Sequence, residues 1–104
     1  MTVMIYPDWR KRIVFAQDGP KPQLLLETKQ FKVVLVGLQQ GQRIPVHPGP
    51  AAVYHVLDGT GWIIVGGERI ALAVGVTVVV GEGDPRGIEA ETQLAFIGSR
   101  GADQ

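Results

Sequence analysis

The stretch from Gly41 to Gly61, GQRIPVHPGPAAVYHVLDGTG, is the part of the chain that says most about its fold. It contains both histidines of the protein, His47 and His55, and three of its seven prolines. The residues after Gly41 predict a strand, and the prolines that follow predict an exposed loop. The apolar run after the loop predicts a second strand, and the Asp-Gly pair predicts a hairpin turn. We expect any functional site of this protein to be built in this stretch.

Short apolar runs on both sides of this stretch extend the same pattern. They are 3 to 8 residues long, rich in β-branched residues and separated by Gly, Pro and Asp, and none sustains a helical period. The sequence therefore predicts an all-β chain that forms a sandwich or a small barrel. The predicted strands, including the second strand of the stretch at 53–57, cover residues 13–16, 24–26, 31–38, 53–57, 62–65, 70–74, 76–80 and 94–97.

Length and composition indicate one domain and exclude several kinds of chemistry. A chain of 104 residues, 45% of them hydrophobic, can bury a core of its own. We predict a single domain over residues 1–104, with an N-terminal arm at 1–12 and a flexible tail at 99–104. The absence of cysteine excludes disulfides, thiolate metal ligands and cysteine nucleophiles. Because the sequence shows neither a signal-peptide pattern nor a membrane-length apolar run, we expect a cytoplasmic protein with no membrane partner.

The net charge is zero, but the charges are unevenly distributed. Residues 1–32 carry six Lys/Arg against three Asp/Glu, whereas residues 58–91 carry six Asp/Glu against two Arg. The basic trio Arg10, Lys11 and Arg12 is too short for a nucleic-acid surface and has no interleaved aromatic residues for base stacking. We therefore expect no nucleic-acid partner, and we interpret the trio as a solvated face or as a surface that pairs with a second subunit.

The spacing of glycines around His47 and Arg86 resembles the two paired motifs of the cupin superfamily. The first motif matches Gly41, five residues, His47, and then the turn at Gly59; the second matches Gly75-x5-Gly81-x-Gly83-x2-Arg86-x3-Ala90. Together the two motifs cover residues 41–90. The resemblance implies a small cupin-like antiparallel jelly-roll β-barrel, with the flanking strands completing the barrel.

The spacing of the motifs matches the family, but most of the metal-binding residues at the matched positions do not. Metal-binding cupins hold a divalent ion with two histidines and a glutamate of the first motif and a histidine of the second. In this chain His47 stands in the first place, Gly49 and Ala52 in the next two, and Arg86 in the last. A stable metal site usually needs three or more converging ligands, and a guanidinium repels a cation. We therefore expect a degenerate site with no metal and no cofactor.

Three side chains are expected to face the barrel interior instead. Strand alternation places Tyr54 inward and His55 outward, and the motif spacing implies inward positions for His47 and Arg86. An arginine fork suits a carboxylate or a phosphate. We predict that His47, Tyr54 and Arg86 line a ligand-binding pocket. A second interpretation of Arg86 is a structural ion pair with Glu82, Asp84 or a neighbouring carboxylate.

Several functions remain open at this point, and the sequence does not decide whether the protein is an enzyme. The first hypothesis is a metal-free sensing or accessory protein that binds a small anionic or sugar-like molecule. The second is a metal-independent isomerase or epimerase, because cupin-fold sugar epimerases use a histidine base and a tyrosine acid, here His47 and Tyr54. A metal-dependent oxygenase or isomerase is the third, and a purely structural subunit is the fourth.

We also expect a homodimer. The N-terminal arm carries Met4, Ile5, Tyr6 and Trp9 but is too short to form a core of its own. Such an arm can bury its apolar residues against the sheet of a neighbouring copy, and the resemblance to cupins implies the same arrangement. The basic first third of one copy could then face the acidic region 58–91 of the other.

Overall fold

A computed structural model describes residues 3–102 of the chain. Apart from one 3-10 helix, the regular elements of this part are strands, so the predicted all-β class is confirmed. The elements are the 3-10 helix Trp9–Lys11 and the strands β1 Gln23–Glu27, β2 Phe31–Leu38, β3 Arg43–His47, β4 Ala52–Asp58, β5 Gly61–Val65, β6 Glu68–Leu72, β7 Thr77–Val80, β8 Arg86–Ala90 and β9 Leu94–Gly101.

The nine strands form two antiparallel sheets. The larger sheet has the order β1-β2-β9-β4-β7 and the smaller sheet the order β3-β8-β5-β6. Apolar side chains from both sheets meet in one core, where Leu38, Ile63 and Leu94 are fully buried. Apolar contact between the two inner faces holds the sheets together, because each sheet buries the side of its strands that carries branched aliphatic residues.

The predicted tail is wrong over the part that the structure describes. Strand β9 continues to Gly101 instead of ending near Ile97. Ser99 pairs with Val33 of β2 on one side and with Val53 of β4 on the other. The residues at 98–101 are polar or small, so the local sequence pattern does not indicate a strand there. The strand forms because this segment pairs with two segments that are distant in sequence. Residues 103 and 104 lie outside the described part.

The predicted strand at residues 13–16 is also wrong. This segment is a loop that crosses the outer side of β2 at Gly37, where an added Cβ would lie 2.6 Å from the Val14 carbonyl oxygen. The Nε2 atoms of Gln39 and Gln42 donate to the carbonyl oxygens of Phe15 and Ala16 at 3.0 and 2.7 Å. Side-chain amides therefore satisfy backbone groups that a strand would have paired along a sheet edge.

The described part of the arm ends in the 3-10 helix, which Asp8 caps by accepting from the Arg10 N–H at 3.1 Å. Trp9 borders a groove whose other walls include Leu35 and Ile97 on the outer face of the larger sheet. Trp9 therefore lies against its own barrel, whereas Val3 and Ile5 are 71% and 76% exposed. No helix within residues 3–102 is both long enough and apolar enough to cross a membrane.

Candidate functional site

A cavity of about 460 Å³ opens between the two sheets at one end of the barrel. The three side chains that the sequence predicts to face a pocket, His47, Tyr54 and Arg86, all line it. The remaining lining residues are Pro22, Leu24, Glu27, Lys32, Val34, Val36, Ile44, Gly87, Ile88, Phe96, Gly98 and Arg100. The structure thus brings the predicted residues together, but it surrounds them with more apolar surface and more cations than the sequence indicates.

Arg86 is the most unusual member of this set, because its charged side chain is only 3% exposed. Its Nε donates to the carbonyl oxygen of Asp84 at 2.8 Å, and its Nη2 donates to the carbonyl oxygens of Gly49 and Gly81, both at 3.2 Å. No carboxylate of residues 3–102 forms a salt bridge with it. The expected alternative, an ion pair with Glu82, Asp84 or a neighbouring carboxylate, is therefore not the arrangement observed among these residues.

Gly49 and Gly81 explain how this guanidinium is accommodated. Gly49 lies in the loop between β3 and β4, and a Cβ added there would lie 3.3 Å from Arg86 Nη1. Gly81 directly follows β7, so the arginine connects two loops that are far apart in sequence. The lack of a side chain at Gly49 leaves room for the arginine, and the loop carbonyls fix the orientation of its plane.

Tyr54 and His47 lie beside this arginine. The Arg86 Nη1 donates to the Tyr54 hydroxyl at 3.4 Å, a long hydrogen bond, and the Tyr54 ring packs edge-on against Phe96 with centroids 5.9 Å apart. His47 is the cross-strand partner of Arg86, and its Nδ1 donates to the carbonyl oxygen of Pro45 at 2.8 Å. Because a carbonyl only accepts, Nδ1 carries the proton, and the neutral ring then has Nε2 as its acceptor.

The other histidine lies away from the cavity, as strand alternation predicts. His55 is exposed, and its Nδ1 lies 2.7 Å from the Oγ1 of Thr77 on the neighbouring strand β7. Of the two histidines, only His47 belongs to the candidate site.

Sequence reasoning missed Lys32, Gly98 and Arg100. Lys32 belongs to an alternating series with Val34 and Val36, and this spacing could have indicated its direction. Gly98 and Arg100 could not be assigned, because the sequence pattern ends the last strand at Ile97. Only the pairing of β9 with β2 and β4 shows that both residues face the cavity.

A divalent metal, which the resemblance would lead one to look for, does not fit the residues present. Within residues 3–102 no group of three or more His, Asp or Glu residues is arranged to hold a metal ion. The position of the fourth ligand is filled by the Arg86 guanidinium, and the only imidazole on the cavity wall is that of His47. One nitrogen ligand next to a fixed positive charge does not make a cation site.

Comparison with known proteins identifies the fold. No protein-family model and no curated protein matches the chain. An RmlC-like cupin from Desulfovibrio desulfuricans has a similar solved structure, with a TM-score of 0.83, 23% sequence identity, and coverage of 95% of this chain and 97% of that one. A protein with a double-stranded β-helix domain from Klebsiella pneumoniae gives a TM-score of 0.82 at 19% identity, over 99% and 100% of the two chains.

The protein KdgF from Halomonas sp. is similar to a lesser degree, with a TM-score of 0.76 at 19% identity over 85% of this chain and 83% of that one. These likenesses show that the chain has the cupin fold, the double-stranded β-helix, and so confirm the resemblance at the level of the fold. At such sequence identities they carry no ligand or activity to this chain.

Proposed function

We propose that this protein binds a small organic anion in the barrel cavity, as a metal-free sensing or accessory protein. The observation that carries the proposal is the buried Arg86 guanidinium, which is 3% exposed and has no carboxylate partner within residues 3–102. Removing a charge from water is costly unless an opposite charge compensates it. Backbone carbonyls orient the guanidinium, and a bound anion would provide the missing opposite charge.

The neighbouring groups favour an anion over a sugar-like ligand. The Tyr54 hydroxyl accepts a hydrogen bond from Arg86, so its own hydrogen is free to donate into the cavity. Two donors about 3.4 Å apart can each reach one oxygen of the same carboxylate or phosphate. Lys32 and Arg100 bring positive charge to the wall, and among the lining residues within 3–102 Glu27 is the one carboxylate. Donors and positive charge near Arg86 suit an anionic group better than the uncharged hydroxyl groups of a sugar.

Calorimetric titration with acetate, benzoate, gluconate and inorganic phosphate tests the proposal, with benzyl alcohol and glucose as neutral counterparts. We expect at least one anion to bind while its neutral counterpart does not. At a hundred times its dissociation constant, that anion should raise the free energy of unfolding by about 2.7 kcal/mol. Equal binding of neutral and charged molecules, or binding of neither, would refute an anion-binding function.

A metal-independent isomerase is the second candidate, and the tautomer of His47 favours it. With Nδ1–H directed at Pro45, the neutral ring leaves Nε2 available as a general base, and Tyr54 is a potential acid on the same cavity wall. Such an enzyme would exchange a carbon-bound hydrogen of its ligand with deuterium from D₂O, and His47→Gln would stop the exchange. If a ligand binds but shows no exchange, the isomerase candidate is refuted and only the binding function is supported.

His47→Ala is expected to lower the free energy of unfolding by at most about 1 kcal/mol, because the side chain is exposed and makes one hydrogen bond to a nearby carbonyl. The same variant should weaken anion binding measurably, since His47 lines the cavity. Chemical denaturation and titration of the same preparation provide both values. A strongly destabilised variant with unchanged affinity would instead assign His47 to the structure of the barrel.

The homodimer remains a proposal, and the exposed apolar residues of the arm support it. Val3, Met4 and Ile5 are 71%, 64% and 76% exposed, and Val79 on the edge strand β7 is 76% exposed. Light scattering after size exclusion should give twice the chain mass for the full protein. Removal of residues 2–7, which keeps the Asp8 cap and Trp9, should shift it toward the monomer. A full-length monomer at high concentration would refute the dimer.

A further inference from the structure

The register of the strands divides the cavity into levels of different chemistry. On the larger sheet Lys32 is paired with Arg100, and these two inward residues form the rim level. Two residues further along each strand, Val34 is paired with Gly98, and Gly98 with Tyr54; these three form the middle level. Two residues further again, Val36 is paired with Phe96, and these form the deep level. Each step is roughly 7 Å along the strand.

The smaller sheet repeats this order. His47 is paired with Arg86, and further along the same two strands Ile44 is paired with Ile88. The Arg86 Nη1 donates to the Tyr54 hydroxyl at 3.4 Å, so the level of Arg86 on the smaller sheet lies opposite the middle level of the larger sheet. The cationic groups therefore lie at the rim and middle levels of the cavity, and the side chains that line its deep level are aliphatic and aromatic.

Exposure decreases from the rim level to the deep level. Lys32 and Arg100 are partly exposed, whereas Val36 is 3% exposed and Phe96 and Ile88 are each 2% exposed. An ionised group placed at the deep level would lose its water and gain no polar partner there, which is strongly unfavourable. An apolar group at that level would be removed from water at a favourable free energy.

From these levels we infer that the ligand is an amphipathic organic anion that binds with its apolar end innermost. This inference rests on the proposed anion-binding function and extends it. The acidic group of the ligand lies between Arg86, Tyr54 and the cations of the rim level. Its apolar body passes the middle level and ends against Phe96, Val36 and Ile88. A hydroxylated acid such as gluconate would place hydroxyl groups against this apolar surface and is disfavoured.

Gly98 is the residue that keeps the path to the deep level open. It lies in the middle level, on the strand that also carries Phe96 and Arg100, and its side of β9 faces the cavity. An added Cβ would have the Tyr54 ring at 3.5 Å and Val34 Cγ2 at 3.6 Å as its nearest neighbours. These are ordinary contacts, and Gly98 does not have a positive φ. A Cβ is therefore compatible with the strand, and the methyl groups of a larger side chain would extend into the space through which the apolar body must pass.

The test uses the full-length protein and a series of straight-chain carboxylates: acetate, butanoate, hexanoate and octanoate. Burial of each additional methylene should tighten binding about fourfold until the deep level is filled. Gluconate should bind no more tightly than acetate. The Kd values are measured by calorimetry at one pH and one ionic strength, so that the head-group contribution stays constant across the series.

Gly98→Val should remove this dependence on chain length and weaken hexanoate binding at least tenfold, while acetate binding changes little. Ser99→Val is the matched control, because Ser99 is the next residue of the same strand and does not line the cavity. It should leave the whole series unchanged. If Gly98→Val does not fold, Gly98→Ala replaces it, with the same direction of change and a smaller size.

The outcomes separate this inference from the function on which it rests. If none of the carboxylates, gluconate or phosphate binds, both the anion-binding function and the inference are wrong. If acetate and gluconate bind but affinity does not rise with chain length, the anion site stands and the amphipathic ligand is refuted. If affinity rises with length and Gly98→Val behaves like Ser99→Val, the apolar body lies elsewhere, and the inferred path past Gly98 is wrong.

Discussion

Arg86→Met is expected to weaken anion binding by at least thirtyfold and to lower the free energy of unfolding by roughly 2 kcal/mol. The first effect follows from the loss of the buried cation, since a charge-assisted hydrogen bond in a desolvated site contributes about 2 kcal/mol or more. The second follows because the carbonyl oxygens of Gly49, Gly81 and Asp84 lose the hydrogen bonds that Arg86 donates to them. Gly83 N–H still donates to Gly49 at 2.8 Å, so the loops remain partly connected.

Two further variants separate charge from shape in this prediction. Arg86→Lys keeps the positive charge but loses the planar fork, so it should recover part of the affinity. Arg69→Met is the matched control, because Arg69 forms an exposed ion pair with Glu89 at 3.1 Å and does not line the cavity. It should leave anion affinity unchanged and change the free energy of unfolding by no more than about 1 kcal/mol. Titration and urea denaturation provide both values, and an Arg86→Met protein with native affinity would refute the proposed function.

Gly59→Ala is expected to have the largest effect on folding, a loss of roughly 4 kcal/mol or more. Gly59 has a φ of +85°, a left-handed conformation that costs an L-residue roughly 1–2 kcal/mol. In addition, an added Cβ would overlap the carbonyl oxygen of Gln93, and the backbone of Leu94 lies 3.0 Å away. The turn could relieve this overlap only by moving away from β9, which carries Leu94 and Phe96 into the core.

Gly66→Ala is the control for this prediction, because it isolates the cost of the backbone conformation. Gly66 has a φ of +60° in the turn between β5 and β6, and no atom lies within 4 Å of its added Cβ. We expect it to lose only about 1–2 kcal/mol. Urea denaturation of both variants gives the comparison, and similar losses would show that the overlap with Gln93 is not what constrains Gly59.

Local chemistry in the sequence was sufficient for the fold class and for part of the site. The strands β2 and β4 were located to within about a residue at each end, because dense β-branched runs bounded by turn residues leave few alternatives. The spacing of Gly41, His47 and Arg86 correctly indicated the cupin fold. Alternation along β4 alone was enough to place Tyr54 toward the interior and His55 toward solvent.

Tertiary structure alone decided the features that depend on distant segments. Strand β9 continues through Ser99 and Arg100 because β2 and β4 flank it, and the local sequence pattern does not predict this pairing. Arg86 is paired with carbonyls instead of a carboxylate because two remote loops converge on it. The change from cationic residues at the rim level to apolar residues at the deep level likewise arises from the register between strands. Alternation along one strand is a local property, whereas register between strands is set by the packing of the whole barrel.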